Sequence, residues 1–190
     1  KPGNLVLGSE QGSTDPNFIY VIDFGMVRQF IVLDKEGKVG MRKPRSGILY
    51  RGTNKYFSVS VHKRKEQGRH DDLWSMLYTM AEARLGNLPW NSEHENPEVL
   101  KIKLTVSDEE LFANSPIQVK MFADHLRTLD YTTRPDYSKL YKFLLDAMIL
   151  GGYSFSDPFE WNRDSSRTST ERKMKPPFDD SVFDLNQFGF

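Results

Sequence analysis

Apolar residues recur at helical spacing over the middle of the chain, and this periodicity constrains the fold more than any other feature. One run ends at Gly86 and Pro89 and contains the apolar residues Leu73, Met76, Leu77, Met80, Ala81 and Ala83. Further helices are indicated after the capping-box pattern Ser107-x-x-Glu110, from Ser115-Pro116 to about Leu129, and from Tyr137 to Leu150 before Gly151-Gly152. The sequence therefore predicts a mainly α-helical chain.

Two short apolar runs near the N-terminus predict a β-hairpin. Leu5-Val6-Leu7 and Tyr20-Val21-Ile22 are separated by a cluster of Gly, Ser, Asp, Pro and Asn residues, which is typical of a turn between strands. A hairpin returns the chain beside its own start. We therefore expect Asn4, before the first strand, to lie close to Asp23, after the second strand.

The two ends of this hairpin carry residues that suit a metal and a phosphate. Amide and carboxylate oxygens, as on Asn4 and Asp23, are the hard ligands that Mg²⁺ prefers. Lys1 lies on the same loop and can reach a phosphate group. The alternative is that Asn4 caps a turn, that Lys1 is simply solvated, and that Asp23-Phe24-Gly25 is an ordinary turn.

The composition excludes several classes of function. Lys and Arg number 26 and Asp and Glu also number 26, so no net charge attracts nucleic acid or a membrane. Without cysteine the chain has no thiolate nucleophile, no disulfide and no cysteine-ligated zinc, which fits an intracellular setting. The longest apolar runs, such as Phe143 to Leu150, are too short to span a bilayer. We expect an intracellular protein that binds neither nucleic acid nor membrane.

Two stretches lack regular periodicity. From Gln29 to Ser60 the chain is rich in glycine and charge, with only short apolar runs, so a long irregular segment is expected. After Trp161 the composition shifts to Arg, Ser, Thr, Lys and Asp, which is typical of a mobile tail. The expected organisation is one domain over residues 1–161 and a tail over residues 162–190.

Two motifs in the middle of the chain identify a family. Gly52-Thr53-Asn54-Lys55-Tyr56 and the run from His62 to Ser75 resemble the casein kinase 1 superfamily of protein kinases, most closely its tau-tubulin kinase branch. The similarity extends from Lys1 to about Trp161 and includes Leu88-Pro89-Trp90. The resemblance implies a protein-kinase-like C-lobe, mainly α with a short β-hairpin, and no N-lobe within this chain.

The resemblance assigns roles to residues at the hairpin and in the first motif. Asn4 and Asp23 match the two Mg²⁺ ligands of kinases, and Lys1 matches the lysine that contacts the γ-phosphate of ATP. Thr53 matches the threonine that steadies this lysine and the catalytic aspartate. Gly25 matches the turn residue that opens the activation segment. The implied cofactors are ATP and Mg²⁺.

Two further positions have structural meaning in the family. Asp72 matches the buried helix aspartate that holds the backbone of the catalytic loop, so its replacement should mainly destabilise the fold. Ser58-Val59-Ser60 stands where other kinases have Ala-Pro-Glu. Because the glutamate of the usual ion pair is missing, Arg134 is not assigned that partner.

A basic stretch between Arg42 and Arg69, with only Glu66 opposing it, has two interpretations. It is either a solvated face or a surface for substrates. In the family, basic residues beside the activation segment favour acidic or phosphorylated protein substrates, and the candidates here are Arg42, Lys43, Arg45 and Lys55. Related enzymes have further basic residues after Leu-Pro-Trp, whereas this chain has Asn91-Ser92-Glu93-His94-Glu95, so the match to a priming-phosphate site is incomplete.

The predicted function is that of a serine/threonine protein kinase, which transfers the γ-phosphoryl group of ATP to Ser or Thr of a protein. In kinases the catalytic aspartate stands five residues before the asparagine that Asn4 matches, which places it two residues before Lys1. The sequence also shows no Gly-rich loop and no strand lysine with its helix glutamate, so this piece alone is expected to be inactive. The alternative is a non-catalytic, pseudokinase-like interaction module, although the presence of Lys1, Asn4, Asp23 and Thr53 weighs against it.

Overall fold

The chain folds into short strands followed by α-helices. The computed structural model describes residues 1–8, 18–155 and 157–159. Strands β1 (Leu5–Leu7) and β2 (Ile19–Val21) form one antiparallel pair, and β3 (Ile31–Leu33) and β4 (Val39–Met41) form another. The helices of these residues are α1 (Val59–His62), α2 (Arg69–Leu85), α3 (Asn96–Thr105), α4 (Asp108–Leu111), α5 (Ile117–Arg127) and α6 (Tyr137–Leu150). The predicted tail and the predicted domain boundary lie outside the described residues.

The predicted helices are present, and their ends follow from local chemistry. Helix α2 ends where Gly86 adopts a φ of 82°, a left-handed conformation that glycine accepts without strain. Helix α4 begins after Ser107, whose Oγ accepts a hydrogen bond from the backbone N–H of Glu110 at 3.2 Å. Helix α6 has the predicted bounds, and the Asp136 side chain caps its first turn. Within the described ranges, no helix is both long and apolar enough to cross a membrane.

Helix α3 was not predicted, and its burial pattern explains why. Val99 and Lys103 are the buried residues of this helix and Ile102 packs against the core, so a charged residue occupies one of the inward positions. A cation at an inward position removes the apolar periodicity on which the sequence argument depends. Pro97 in the first turn is the main remaining signal of its start.

The irregular segment expected from Gln29 to Ser60 is wrong in part, because it contains the second hairpin. Ile31 pairs with Met41, and Leu33 pairs with Val39. Asp34 closes the turn, since its Oδ1 accepts hydrogen bonds from the backbone N–H groups of Glu36 at 3.0 Å and Lys38 at 2.8 Å. Strand β4 has Gly40 at its centre, which interrupts the apolar run that would have predicted a second strand.

The hydrophobic core lies among the helices and positions the segment that contains Thr53. Helix α5 packs against both α2 and α6, while α1 packs against α3. Trp90 is 1% exposed, and its indole Nε1–H donates a hydrogen bond to the carbonyl of Lys55 at 2.8 Å. This core contact therefore fixes the backbone two residues after Thr53. The buried core residues are Leu77, Tyr78, Ala81, Leu88, Trp90, Val99, Leu111, Phe112, Val119, Phe122, Ala123, Leu126 and Leu140.

His62 should make the stability of the fold depend on pH. Its side chain is buried against Phe57, with 4.4 Å between the ring centres, and neither ring nitrogen has a hydrogen-bond partner within the described residues. Burial, and then the charge of Lys103, lowers the pKa of His62 to about 4. Between the unfolded pKa of about 6.5 and this value, only the unfolded state takes up a proton. Stability should therefore fall by about 3 kcal/mol as the pH drops through that window.

Urea unfolding at several pH values between 7 and 4 measures this effect. A His62→Gln variant should show a flatter dependence, because the titrating group has been removed. His94→Gln is the matched control, since His94 is exposed and its replacement should leave the slope unchanged. The same slope in His62→Gln as in the unaltered chain would contradict the assignment.

Candidate active site

The first hairpin brings Asn4 and Asp23 to the same end, as the sequence predicted. Leu5 pairs with Val21, so Asn4 stands opposite Ile22, whose backbone N–H donates to the Asn4 carbonyl at 3.0 Å. Asp23 is the next residue along the chain. A short 3-10 turn over Pro2–Asn4 folds Lys1 back, because the N–H of Asn4 donates to the Lys1 carbonyl at 2.9 Å.

Asp23 has a backbone conformation that is uncommon for a residue with a side chain. Its φ is 68°, in the left-handed region, and the residue is exposed. The chain then turns at Gly25, with the N–H of Val27 donating to the carbonyl of Phe24 at 3.1 Å. Strained backbone of this kind is concentrated at functional sites, so the conformation of Asp23 supports a functional role.

The donor set at this end of the hairpin fits Mg²⁺. Asn4 offers an amide oxygen and Asp23 a carboxylate, and neither side chain has a hydrogen-bond partner within the described part of the chain. The described residues contain no group of three or more His, Cys, Asp or Glu that could hold a metal. Two oxygen ligands from the protein are typical of Mg²⁺ bound together with phosphates, because this ion keeps several waters.

A cavity of about 940 Å³ adjoins Asp23 and brings together only some of the predicted site residues. Asp23, Gly25, Arg45 and Asp72 contribute to its wall. The remaining predicted residues do not line it: Lys1, Asn4, Arg42, Lys43, Thr53 and Lys55. The cavity wall contains both acidic and basic side chains, so its charge is not of a single sign.

Thr53 lies in a separate turn that is held firmly by its backbone. Its carbonyl accepts hydrogen bonds from the N–H groups of Tyr56 at 2.9 Å and Phe57 at 3.2 Å. The threonine itself is exposed, and no hydrogen bond of its hydroxyl is present among the described residues. The fold therefore offers this hydroxyl to solvent on a rigid support.

Comparison with known proteins shows relatives that are protein kinases. A Caenorhabditis elegans protein named a serine/threonine-protein kinase is 39% identical over 189 residues, which cover 100% of this chain and 52% of the relative. An inactive tau-tubulin kinase of the same organism is 33% identical over 163 residues, 85% of this chain and 56% of the relative. The casein kinase I homolog 2 of Schizosaccharomyces pombe is 28% identical over 168 residues, 85% of this chain and 38% of the relative.

All three of these relatives are named as kinases. The chain is a homologue of serine/threonine protein kinases. Its resemblance to the casein kinase 1 superfamily and the tau-tubulin kinases is thereby confirmed. The chain spans about half the length, or less, of the curated kinases it matches, which is consistent with a partial kinase domain. No family model matches it.

In this kinase homologue Asp72 is exposed, and the buried carboxylate beside it is that of Asp71. The contact with the catalytic-loop backbone that the resemblance implies for Asp72 stays a prediction. Asp71 is 3% exposed and accepts hydrogen bonds from Ser58 Oγ at 2.5 Å and from the N–H of Gly68 at 2.7 Å. Asp72 is exposed on the cavity wall and has no hydrogen-bond partner within the described ranges. Partial desolvation by the surrounding protein, and then the negative charge of Asp71, raises the pKa of Asp72. Asp72 is thus surrounded by protein yet reached by water.

Most of the basic residues expected to meet substrate are engaged within the kinase homologue itself. Arg45 pairs with Glu66, with 2.6 Å between Nε and Oε2, and Lys55 pairs with Glu82. Arg42 Nε donates to the carbonyl of Gln29 at 3.1 Å. Lys43 is exposed and, among the described residues, has no acidic partner. Of the four candidates, Lys43 and Arg42 have no acidic partner within the described ranges, and Lys43 is the more exposed of the two.

Sequence reasoning missed residues that hold the site together. Glu66 is 7% exposed in its side chain and accepts from both Arg28 and Arg45. Its position as the sole acid in a basic stretch was the available signal. The role of Ser58 as a partner of Asp71 had no local signal, since the two residues meet only through the fold. The burial of Lys103 was likewise hidden, because a lysine is normally read as exposed.

Proposed function

We propose that the protein containing this chain is a serine/threonine protein kinase that transfers the γ-phosphoryl group of ATP to Ser or Thr of a protein substrate. The observation that carries the proposal is that Asn4 lies opposite Ile22 in the first hairpin, at the same end as Asp23. The kinase relatives support it, because they include proteins named as serine/threonine kinases. Each residue role below belongs to this proposal.

Phosphoryl transfer needs positioning and charge neutralisation more than covalent chemistry from the protein. Asn4 and Asp23 would hold Mg²⁺, which neutralises negative charge on the phosphates of ATP when it is bound. Lys1, exposed beside Asn4, would contact the γ-phosphate. Thr53 would support this lysine and the catalytic aspartate that the family requires. The hairpin and the Thr53 turn supply the two rigid supports for these groups.

Protein substrates with acidic residues fit the charges that remain available. Lys43 is exposed without an acidic partner in the described ranges, so it can pair with a carboxylate of the substrate. Lys55, which is engaged with Glu82 and donates to Asn91 Oδ1 at 2.5 Å, would have to leave these partners first. The proposed preference for acidic substrates is therefore modest.

A second candidate function is a non-catalytic interaction module. One relative is named an inactive tau-tubulin kinase, so a similar sequence occurs in a protein named as lacking activity. In such a module, exposed residues on the helices would bind another protein, and no phosphoryl group would be transferred. The oxygen ligands Asn4 and Asp23 would then have no metal to hold.

Transfer of labelled γ-phosphate from ATP to casein by the whole protein distinguishes the two functions. The kinase proposal expects Mg²⁺-dependent label on Ser or Thr, as identified by phosphoamino acid analysis. Label on tyrosine alone would refute the serine/threonine assignment. No label at any Mg²⁺ concentration, from protein that is folded by circular dichroism, would favour the interaction module.

A further inference from the structure

Lys103 is a buried cation that holds backbone carbonyls of the Thr53 turn. The residue lies on α3 and is 8% exposed. Its Nζ donates hydrogen bonds to the carbonyl of Asn54 at 3.0 Å and to the carbonyl of Phe57 at 2.7 Å. These two carbonyls lie at either end of the segment that follows Thr53, so one ammonium group spans it.

Aromatic rings complete the environment of this ammonium group. Its Nζ lies 4.9 Å from the ring centres of Tyr78 and Trp90 and 5.3 Å from that of Phe57. Within the described residues it has no ion pair with a carboxylate. Burial lowers the pKa of Lys103 to about 7. The two hydrogen bonds to carbonyls of the Thr53 turn are the specific polar contacts of this amine, and they point to a role beyond packing.

The Thr53 turn is held from one side by residues of the Leu88–Lys103 stretch. Asn54 Nδ2 donates to the carbonyl of His94 at 3.0 Å, and Trp90 Nε1 donates to the carbonyl of Lys55 at 2.8 Å. Lys103 differs from these contacts because it binds two carbonyls at once and comes from a helix packed in the core. Loss of the Lys103 contacts should therefore increase the mobility of the Thr53 turn more than loss of the Asn54 or Trp90 contact.

We propose that Lys103 is a positioning residue that fixes the Thr53–Phe57 turn for phosphoryl transfer. The inference rests on the proposed kinase function, in which Thr53 supports the reacting groups. Lys103 touches neither nucleotide nor substrate and acts through the backbone of the turn. Its loss should lower kcat for the protein substrate by a larger factor than it raises the KM for ATP, since the proposed metal ligands lie on the separate hairpin.

Hydrogen exchange tests the restraint without requiring activity. The amides of Tyr56 and Phe57 should exchange at least about tenfold faster in Lys103→Met, which keeps the stem but loses every donor. Lys103→Arg retains charge and donors and should stay close to the unaltered chain. Lys101→Met is the matched control, because Lys101 is exposed on the same helix. Equal exchange at Tyr56 and Phe57 in Lys103→Met and Lys101→Met would overturn the proposal.

Amides in the middle of α2, such as that of Ala81, report global unfolding in the same samples. They therefore distinguish global unfolding from local opening of the Thr53 turn.

Kinetics of the whole protein then test the catalytic part: Lys103→Met should lower kcat about tenfold, and Lys103→Arg should restore most of it. Faster exchange with unchanged kcat would overturn the proposal and leave the kinase function standing. Absence of transfer by the unaltered protein would refute the kinase function, and with it any catalytic role of Lys103, whatever the exchange data show.

Discussion

Asp23→Asn should lower kcat for phosphoryl transfer by the whole protein about 100-fold or more. The asparagine keeps the shape of the side chain and tolerates the left-handed backbone, but it loses the negative charge that holds Mg²⁺. Because Asp23 is exposed, the free energy of unfolding should change by less than about 0.5 kcal/mol. Initial rates at saturating ATP, measured against Mg²⁺ concentration, give the result.

Asp146→Asn provides the control for the loss of one carboxylate. Asp146 is exposed on α6, far along the chain from the hairpin, and its replacement should leave kcat unchanged. Activity of Asp23→Asn within twofold of the unaltered protein would remove Asp23 from the metal site. It would also remove the main support for the kinase proposal.

Asp71→Ala should lower the free energy of unfolding by about 3 kcal/mol. The change leaves the buried Ser58 hydroxyl and the N–H of Gly68 without their acceptor, and each lost bond involved a charged group. Both partners precede or open α2, so the loss also loosens the start of that helix. Urea unfolding followed by circular dichroism at neutral pH measures the difference.

Asp72→Ala is the matched comparison, because the neighbouring carboxylate has no hydrogen-bond partner within the described ranges. Its pKa is raised in the fold, so ionised Asp72 reduces stability as the pH rises through the window above the ordinary value of about 3.8. Its position in the first turn of α2 offsets this through the helix dipole. The net change should be less than about 1 kcal/mol. A larger loss in Asp72→Ala than in Asp71→Ala would show that the exposed carboxylate supports the fold after all.

The helices and the first hairpin could be predicted because their signals are local. Helix α6 shows apolar periodicity with Asp136 before it and glycines after it, and the structure has the same bounds. The two strands of the first hairpin were recognised from their apolar runs and the turn residues between them. Helix α3 and the second hairpin were not predicted. Helix α3 has a cation at an inward position, and strand β4 of the second hairpin has a glycine at its centre, which interrupts the apolar run.

The site was only partly predictable, since sequence spacing does not say which side chain points inward. Consecutive positions on a helix point in directions about 100° apart, so Asp71 and Asp72 cannot both face the core. The choice between them is made by Ser58, which is distant in sequence and meets Asp71 through the fold. In the same way, Glu66 pairs with Arg45 and Glu82 pairs with Lys55, two of the cations that were predicted to contact a substrate.

Glu66 sets the electrostatic character of the cavity mouth. It is buried between Arg28 and Arg45, and the three side chains together carry one net positive charge. Loss of this single carboxylate would double that charge and free two guanidinium groups that match phosphate geometry. One acidic side chain therefore limits the positive charge that this part of the cavity wall presents.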